Sequence, residues 1–157
     1  MSNVNLIPNQ ALRNFIGNQV FGSPVIAKHA STHANIALGQ AFHFRINGQN
    51  YYKAAVATLA LTAQPAQSTL LSTCYYLILI DTAGTVTCLK GTDNSNVLPE
   101  VPAGKLMIAV LKVALANAAT FTSGTTALNA TDVTTTVAHP AYMPQGRLAT
   151  ELTFTAT

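Results

Sequence analysis

The segment from residue 75 to residue 80 constrains the fold most, because it is apolar at every position. An alternating strand can leave one face in water, whereas an uninterrupted apolar run has both faces covered. The next four residues, Asp81-Thr82-Ala83-Gly84, favour a turn with Asp at its first corner and a left-handed Gly at its end. We therefore predict a central strand followed by a β-hairpin with a three-residue loop, in which Asp81 lies opposite Thr85.

The same hairpin predicts the state of the two cysteines. With Asp81 opposite Thr85, Cys88 faces Ile78. Cys74 then lies further along the first strand, about 13 Å away, whereas a disulfide requires Cα atoms within about 7 Å. We expect Cys74 and Cys88 to be free, buried thiols that act as small hydrophobic residues.

A second hairpin is predicted earlier in the chain. Residues 41–46 alternate apolar and polar side chains, Asn47-Gly48 is typical of a type I′ turn, and the chain returns over 49–56. This pairing places Tyr51 opposite Phe44. Residues 105–116 favour a long buried strand over a helix because of their branched side chains. Shorter strands are predicted at 58–62, 119–122, 133–137 and 147–155, and a single helical turn at 127–132.

These patterns predict an all-β fold: a single-domain, antiparallel, jelly-roll-like β-sandwich with an irregular N-terminal arm. The length of 157 residues suits one domain. We place the arm at residues 1–34, which show no β alternation, and the sandwich at 35–157.

The arm carries several large apolar side chains without a sheet of its own. We expect it to contact a partner or a neighbouring protomer, and packing on its own domain is the open alternative. The candidate contact residues are Leu6, Ile7, Leu12, Phe15, Ile16, Val20 and Phe21.

Charged residues make up 8% of the chain, against about 25% in a typical soluble protein. A surface so poor in charge favours a homo-oligomer or a larger assembly. The net charge of +3 comes from scattered residues, so we expect no nucleic-acid partner. No apolar run reaches the roughly 20 residues of a membrane span, and the first ten residues lack the pattern of a signal peptide, so we expect neither membrane insertion nor Sec export.

Motifs for chemistry are scarce. His29 and His33 have the i, i+4 spacing that lets two helical imidazoles share a metal. The intervening Ala30-Ser31-Thr32 predicts no long helix, however, and no third ligand lies nearby. We expect no catalytic residues, no metal and no cofactor, and a metal-dependent enzyme centred on these histidines is the alternative.

Four segments follow one another in a definite order along residues 40–138. They are 44–55 (Phe-Arg-Ile-Asn-Gly-Gln-Asn-Tyr-Tyr-Lys-Ala-Ala), 76–87 (Tyr-Leu-Ile-Leu-Ile-Asp-Thr-Ala-Gly-Thr-Val-Thr), 98–105 (Leu-Pro-Glu-Val-Pro-Ala-Gly-Lys) and 119–126 (Ala-Thr-Phe-Thr-Ser-Gly-Thr-Thr). Each segment consists largely of turn-forming residues, so the order of the four segments is a stronger signal than any one of them. In that order they resemble small virion proteins of tailed bacteriophages.

The resemblance implies a phage structural protein, made in the host cytoplasm and located on the capsid surface of the virion. It implies a cement or decoration protein that forms a β-rich trimer, contacts the major capsid protein and stabilises capsomer joints. The alternative is a tail, fibre or baseplate component that binds a host glycan through Asn50, Tyr51 and Tyr52.

Overall fold

The structure, a computed structural model, describes residues 18–67, 72–117, 119–139 and 150–154. In these residues eleven strands form three antiparallel sheets, and none of the described residues is helical. This confirms the predicted all-β, antiparallel fold and is consistent with a β-sandwich, while the jelly-roll connectivity stays a prediction. No helix of the described residues is long and apolar enough to cross a membrane.

The strands are β1 (Gln19–Phe21), β2 (Ile26–Lys28), β3 (Asn35–Leu38), β4 (Phe42–Ile46), β5 (Gln49–Lys53), β6 (Val56–Ala60), β7 (Thr73–Asp81), β8 (Val86–Lys90), β9 (Lys105–Leu115), β10 (Val133–His139) and β11 (Thr150–Phe154). Two sheets have three strands, in the orders β1-β4-β5 and β2-β3-β6. The third has five strands, in the order β11-β10-β9-β7-β8.

The hairpin of β7 and β8 forms as the sequence predicts. The N–H of Asp81 donates to the carbonyl oxygen of Thr85 (3.1 Å), and Cys88 pairs with Ile78. Gly84 has a φ of 77°, and its N–H donates to the carbonyl oxygen of Asp81. The Asp81 carboxylate accepts the N–H groups of Ala83 and Thr85, which explains why an aspartate begins this turn.

Strand β7 lies inside its sheet and is buried on both faces. It is hydrogen-bonded to β8 along one edge and to β9 along the other. Tyr76, Ile78 and Ile80 point into the main core, whereas Leu77 and Leu79 form a second cluster on the opposite face with Val110 of β9. The predicted central strand is therefore confirmed.

The main core draws on all three sheets. Its buried members alternate along β4, β7 and β10, whereas in β9 the alternation is interrupted near the register shift between β7 and β9. They include Ile26, Ile36, Leu38, Phe42, Phe44, Ile46, Tyr76, Ile78, Ile80, Ile108, Leu111, Val113, Leu115, Phe121, Val133 and Val137. Because the two short sheets contribute their apolar faces to the same cluster as the large sheet, each leaves its opposite face outside the core.

A buried glutamine joins the large sheet to the loops beside it. Gln67 is fully buried, and its amide nitrogen donates to the carbonyl oxygens of Ser72 (3.1 Å) and Val113 (3.3 Å). Its amide oxygen accepts the hydroxyl of Tyr76 at 3.3 Å. Burying such groups unpaired costs about 1–3 kcal/mol each, so this network holds the loop in one position.

The predicted irregular arm is only partly irregular. Of residues 1–34 the structure describes 18–34, and these contain β1, which pairs with β4, and β2, which pairs with β3. Strand β3 was not predicted either. These strands have three or four residues, too few to show alternation in the sequence, and their antiparallel partners stabilise them. The candidate contacts Leu6, Ile7, Leu12, Phe15 and Ile16 lie outside the described residues.

Two further predictions are wrong. Residues 119–122 form no strand, and only Phe121 makes an isolated bridge, to Gln67. Residues 127–132 form successive turns instead of a helical turn, with the N–H of Ala130 donating to the carbonyl oxygen of Ala127. Phe121 is fully buried and edge-on to Tyr76, at a centroid distance of 5.5 Å, so tertiary packing decides the course of this segment.

Two glycines with similar backbone angles should differ strongly in their tolerance of alanine. Gly48 has a φ of +81° and open space around an added Cβ, whereas Gly124 has a φ of +76° and its Cβ would collide with the carbonyl oxygen of Leu61. We expect Gly48→Ala to lower the free energy of unfolding by about 1–2 kcal/mol, the cost of a left-handed alanine. Gly124→Ala should lower it by more than about 3 kcal/mol.

Urea unfolding of the two variants and the parent chain measures this difference. Gly48→Ala is the matched control, because it carries the same backbone strain without the collision. Equal destabilisation by the two substitutions would contradict the close approach of Gly124 to Leu61.

Candidate interaction surfaces

The two histidines with metal-ligand spacing are engaged in local hydrogen bonds. Nδ1 of His29 accepts the N–H of Thr32 (2.9 Å), and its Nε2 lies 2.8 Å from the hydroxyl of Thr58. Nε2 of His33 donates to the carbonyl oxygen of Ala30 at 2.9 Å. Within the described part of the chain, no three His, Cys, Asp or Glu side chains come together as metal ligands would.

Both cysteines are free and buried, as predicted. Burial raises the pKa of the Cys74 thiol to about 11 and that of Cys88 to about 12. The reactive form of cysteine is the thiolate, so neither side chain is a nucleophile near neutral pH. Both side chains pack in the main core.

One exposed surface lies on the outer face of the β1-β4-β5 sheet. Strand alternation turns Phe42, Phe44 and Ile46 inward, and the side chains between them outward. The register aligns these outward side chains in two rows. We call this surface the aromatic platform: an aromatic row of Phe21, His43 and Tyr52, and a polar row of Gln19, Arg45 and Asn50.

Contacts within the platform fix its side chains against one another. The rings of His43 and Tyr52 have centroids 5.1 Å apart. The guanidinium of Arg45 lies 5.3 Å from the ring centroid of Phe21, and its Nε donates to Oδ1 of Asn50 at 2.8 Å. Tyr52 is nevertheless 59% exposed, so its ring is available to a ligand.

The platform contains only part of the glycan cluster predicted from the sequence. Tyr52 and Asn50 belong to it, but Tyr51 faces the opposite way, stacks on Phe44 at a centroid distance of 5.3 Å, and donates its hydroxyl to Gln49. Side chains along β5 alternate between the two faces of the sheet, and this alternation in the sequence could have predicted that Tyr51 and Tyr52 face opposite ways.

Two candidate contact residues of the N-terminal arm, Val20 and Phe21, lie within the described residues, and their side chains face opposite sides of the sheet. Phe21 lies in the aromatic row of the platform, beside Arg45. Val20, its neighbour in the chain, packs against the main core. The sequence did not place Phe21 in one row with His43 and Tyr52, because the pairing of β1 with β4 was not predicted.

A second exposed surface lies on the loop from β8 to β9. Among the described residues the exposed large apolar side chains are Val25, Tyr52, Val97, Leu98 and Val101. Three of the five belong to this loop: Val97 is 73% exposed, Leu98 41% and Val101 37%. We call these three residues the apolar loop.

The start of the connection is anchored to β7, whereas its middle is exposed. The N–H of Gly91 donates to Tyr75 (2.8 Å), and the N–H of Asn94 donates to Thr73 (2.7 Å). Lys90 and Asp93 form an ion pair at 2.6 Å. The prolines at positions 99 and 102 restrict the backbone between the apolar side chains. Apolar side chains grouped on an exposed segment can contact a protein partner.

One histidine connects the N-terminal strands to the large sheet. Nε2 of His139, in β10, accepts the N–H of Ile26, in β2, at 2.9 Å. His139 is buried, and burial lowers the pKa of its imidazole. A protonated Nε2 cannot accept this hydrogen bond, so the contact requires the neutral imidazole.

Stability should therefore fall in mild acid. The unfolded chain binds a proton at His139 near the ordinary pKa of about 6.5, whereas the folded chain binds it only at lower pH. The unfolded state thus holds more protons between these two values, so the free energy of unfolding should decrease as the pH falls below about 6.5. Chemical unfolding from pH 7.5 to pH 5 measures the decrease.

His139→Gln should remove this part of the pH dependence. His43→Gln, at an exposed histidine, is the control and should retain it. An unchanged pH profile in His139→Gln would contradict the assignment.

Comparison with known proteins finds no matching family model, no matching curated protein and no matching solved structure. The resemblance to phage virion proteins therefore stays a prediction, and the two exposed surfaces are the features on which a function can be argued.

Proposed function

We propose that the protein is a structural component of a tailed-phage particle that decorates the outside of the capsid shell and contacts the major capsid protein. The observation that supports this most is the apolar loop, in which Val97, Leu98 and Val101 are exposed on a segment that is anchored to β7 at its start. Burying a Val or Leu side chain contributes about 1.5–3 kcal/mol, so the loop can supply useful affinity for a protein surface.

The composition supports the same proposal. With charged residues at 8% of the chain, the described strands expose mainly Thr, Ala, Asn and Gln. Such surfaces lose little free energy when they are covered, because few ions have to be desolvated. Attachment would stabilise the shell by mass action, since the protein binds assembled shell in preference to dissociated subunits. We propose a homotrimer, as the resemblance implies.

Residues 1–17 are a second proposed contact. Their large apolar side chains, Leu6, Ile7, Leu12, Phe15 and Ile16, precede β1 directly in the sequence. Strand β1 would fix the point on the domain from which they reach a capsid subunit or a neighbouring protomer.

The double variant Val97→Ser/Leu98→Ser tests the apolar loop. We expect its affinity for purified phage shells to fall about tenfold or more, because it removes two apolar side chains whose full burial contributes about 1.5–3 kcal/mol each. Its unfolding temperature should stay close to that of the parent, since both side chains are exposed. Co-sedimentation with shells, across a range of protein concentrations, measures the affinity.

Tyr52→Ala is the matched control, because it removes an exposed apolar side chain from a different surface. It should sediment with shells like the parent chain. Leu12→Ser/Phe15→Ser, in the same assay, should weaken binding if the N-terminal segment contributes. Undiminished binding of the Val97→Ser/Leu98→Ser variant would contradict the role of the loop.

A tail, fibre or baseplate component that binds a host glycan is the second candidate. The exposure of Tyr52 beside His43 and the polar row favours it, because aromatic and planar polar side chains together can bind a sugar ring. Localisation to the tail of the particle would support this candidate over shell decoration.

A further inference from the structure

We propose that the aromatic platform binds an acidic saccharide, with the sugar ring on Tyr52 and a carboxylate of the sugar on Arg45. The proposal goes beyond shell decoration and does not depend on it. It gives the glycan-binding alternative a chemical class of ligand and a set of residues, and it applies wherever on a particle the protein is located.

The aromatic row supplies the stacking surface. Tyr52 and His43 are both exposed, on adjacent strands, with ring centroids 5.1 Å apart. One face of a pyranose ring carries C–H groups with small positive partial charges, and the face of an aromatic ring is negative. A sugar ring can therefore lie on Tyr52 with His43 beside it.

The polar row supplies directed hydrogen-bond donors. Nε of Arg45 is bonded to Oδ1 of Asn50 at 2.8 Å, which holds the guanidinium and the amide side by side. Three nitrogens beside this bond make no hydrogen bond to any described residue. They are the two terminal nitrogens of Arg45 and the amide nitrogen of Asn50. A guanidinium binds a carboxylate through two parallel hydrogen bonds, and the Asn50 amide can donate to a neighbouring hydroxyl.

The charge of the sheet favours an acidic ligand over a neutral one. Strands β1, β4 and β5 contain Arg45 and Lys53 but no Asp or Glu. The ammonium of Lys53 is held by the carbonyl oxygen of Gly84 (2.7 Å). Arg45 is thus the cation on the platform itself, and no carboxylate of these three strands competes for it.

Other occupants fit less well. Single-stranded nucleic acid requires several cations along its backbone as well as stacking rings, and the platform offers one guanidinium. A second copy of the chain would bring two Arg45-bearing faces together without a carboxylate on either face.

The platform is also rigid, which reduces the entropic cost of binding. Its residues lie on paired strands, and beneath them the side chains of Phe42, Phe44 and Ile46 are buried in the main core. The backbone that carries the platform side chains is therefore held in place before a ligand arrives.

Isothermal titration calorimetry on the full chain tests the proposal. The acidic probes are hexagalacturonate and 3′-sialyllactose, and their neutral counterparts are the methyl esters of the same two saccharides. We expect at least one acidic probe to bind about tenfold or more tightly than its neutral counterpart, since the charged hydrogen bonds to Arg45 are lost with the charge. A hexathymidylate oligonucleotide should bind more weakly than that probe.

Variants then assign the binding to the platform. Tyr52→Ala and Arg45→Gln should each weaken binding of the acidic probe about tenfold or more, with an unchanged far-UV circular dichroism spectrum. Val97→Ser/Leu98→Ser, on the other exposed surface, should bind the probe like the parent chain. The two surfaces are thereby tested independently.

The proposal is overturned if neither acidic probe binds in the millimolar range, or if the neutral counterparts bind equally well. Tighter binding of the oligonucleotide would replace it with a nucleic-acid site. Undiminished binding in Tyr52→Ala or Arg45→Gln would place the ligand elsewhere. Failure of these tests leaves shell binding unaffected, because that depends on the apolar loop.

Discussion

The structure depends on the burial of β7 on both faces and both edges. Its backbone is paired with β8 and β9, Tyr76, Ile78 and Ile80 enter the main core, and Leu77 and Leu79 enter the second cluster. Since β8 and β9 both run antiparallel to β7 on opposite sides of it, they are parallel to each other. The connection between them has to cross over the sheet, and this crossing carries the apolar loop.

The alternation of side chains along a strand determines which residues of the β1-β4-β5 sheet enter the core and which form the proposed binding surface. The β1-β4-β5 sheet has one face in the core, so the alternate side chains form the platform on the other face. Within the described residues, the buried thiols are kept protonated and the histidines at 29 and 33 are held in turns. The side chains that the platform and the apolar loop leave accessible are aromatic, amide-bearing and apolar, together with the guanidinium of Arg45.

The sequence predicted what local chemistry determines. Asp81 and Gly84 fixed the register of the main hairpin, and Asn47 and Gly48, with φ values of 51° and 81°, fixed that of the other. It failed where tertiary contacts decide. Strands β1, β2 and β3 are too short to show a period in the sequence. The course of the segment around Phe121 is decided by the packing of its side chain. Apolar residues such as Val97 are ordinarily expected inside, so their exposure cannot be predicted from residue type.

The location of this chain on a phage particle tests the proposed function most directly. Electron cryomicroscopy of particles assembled with the chain, compared with particles assembled without it, would show where its density lies. Shell decoration predicts added density on the outside of the capsid, at capsomer joints, with the apolar loop against the major capsid protein. Density confined to the tail, or particles identical with and without the chain, would contradict it.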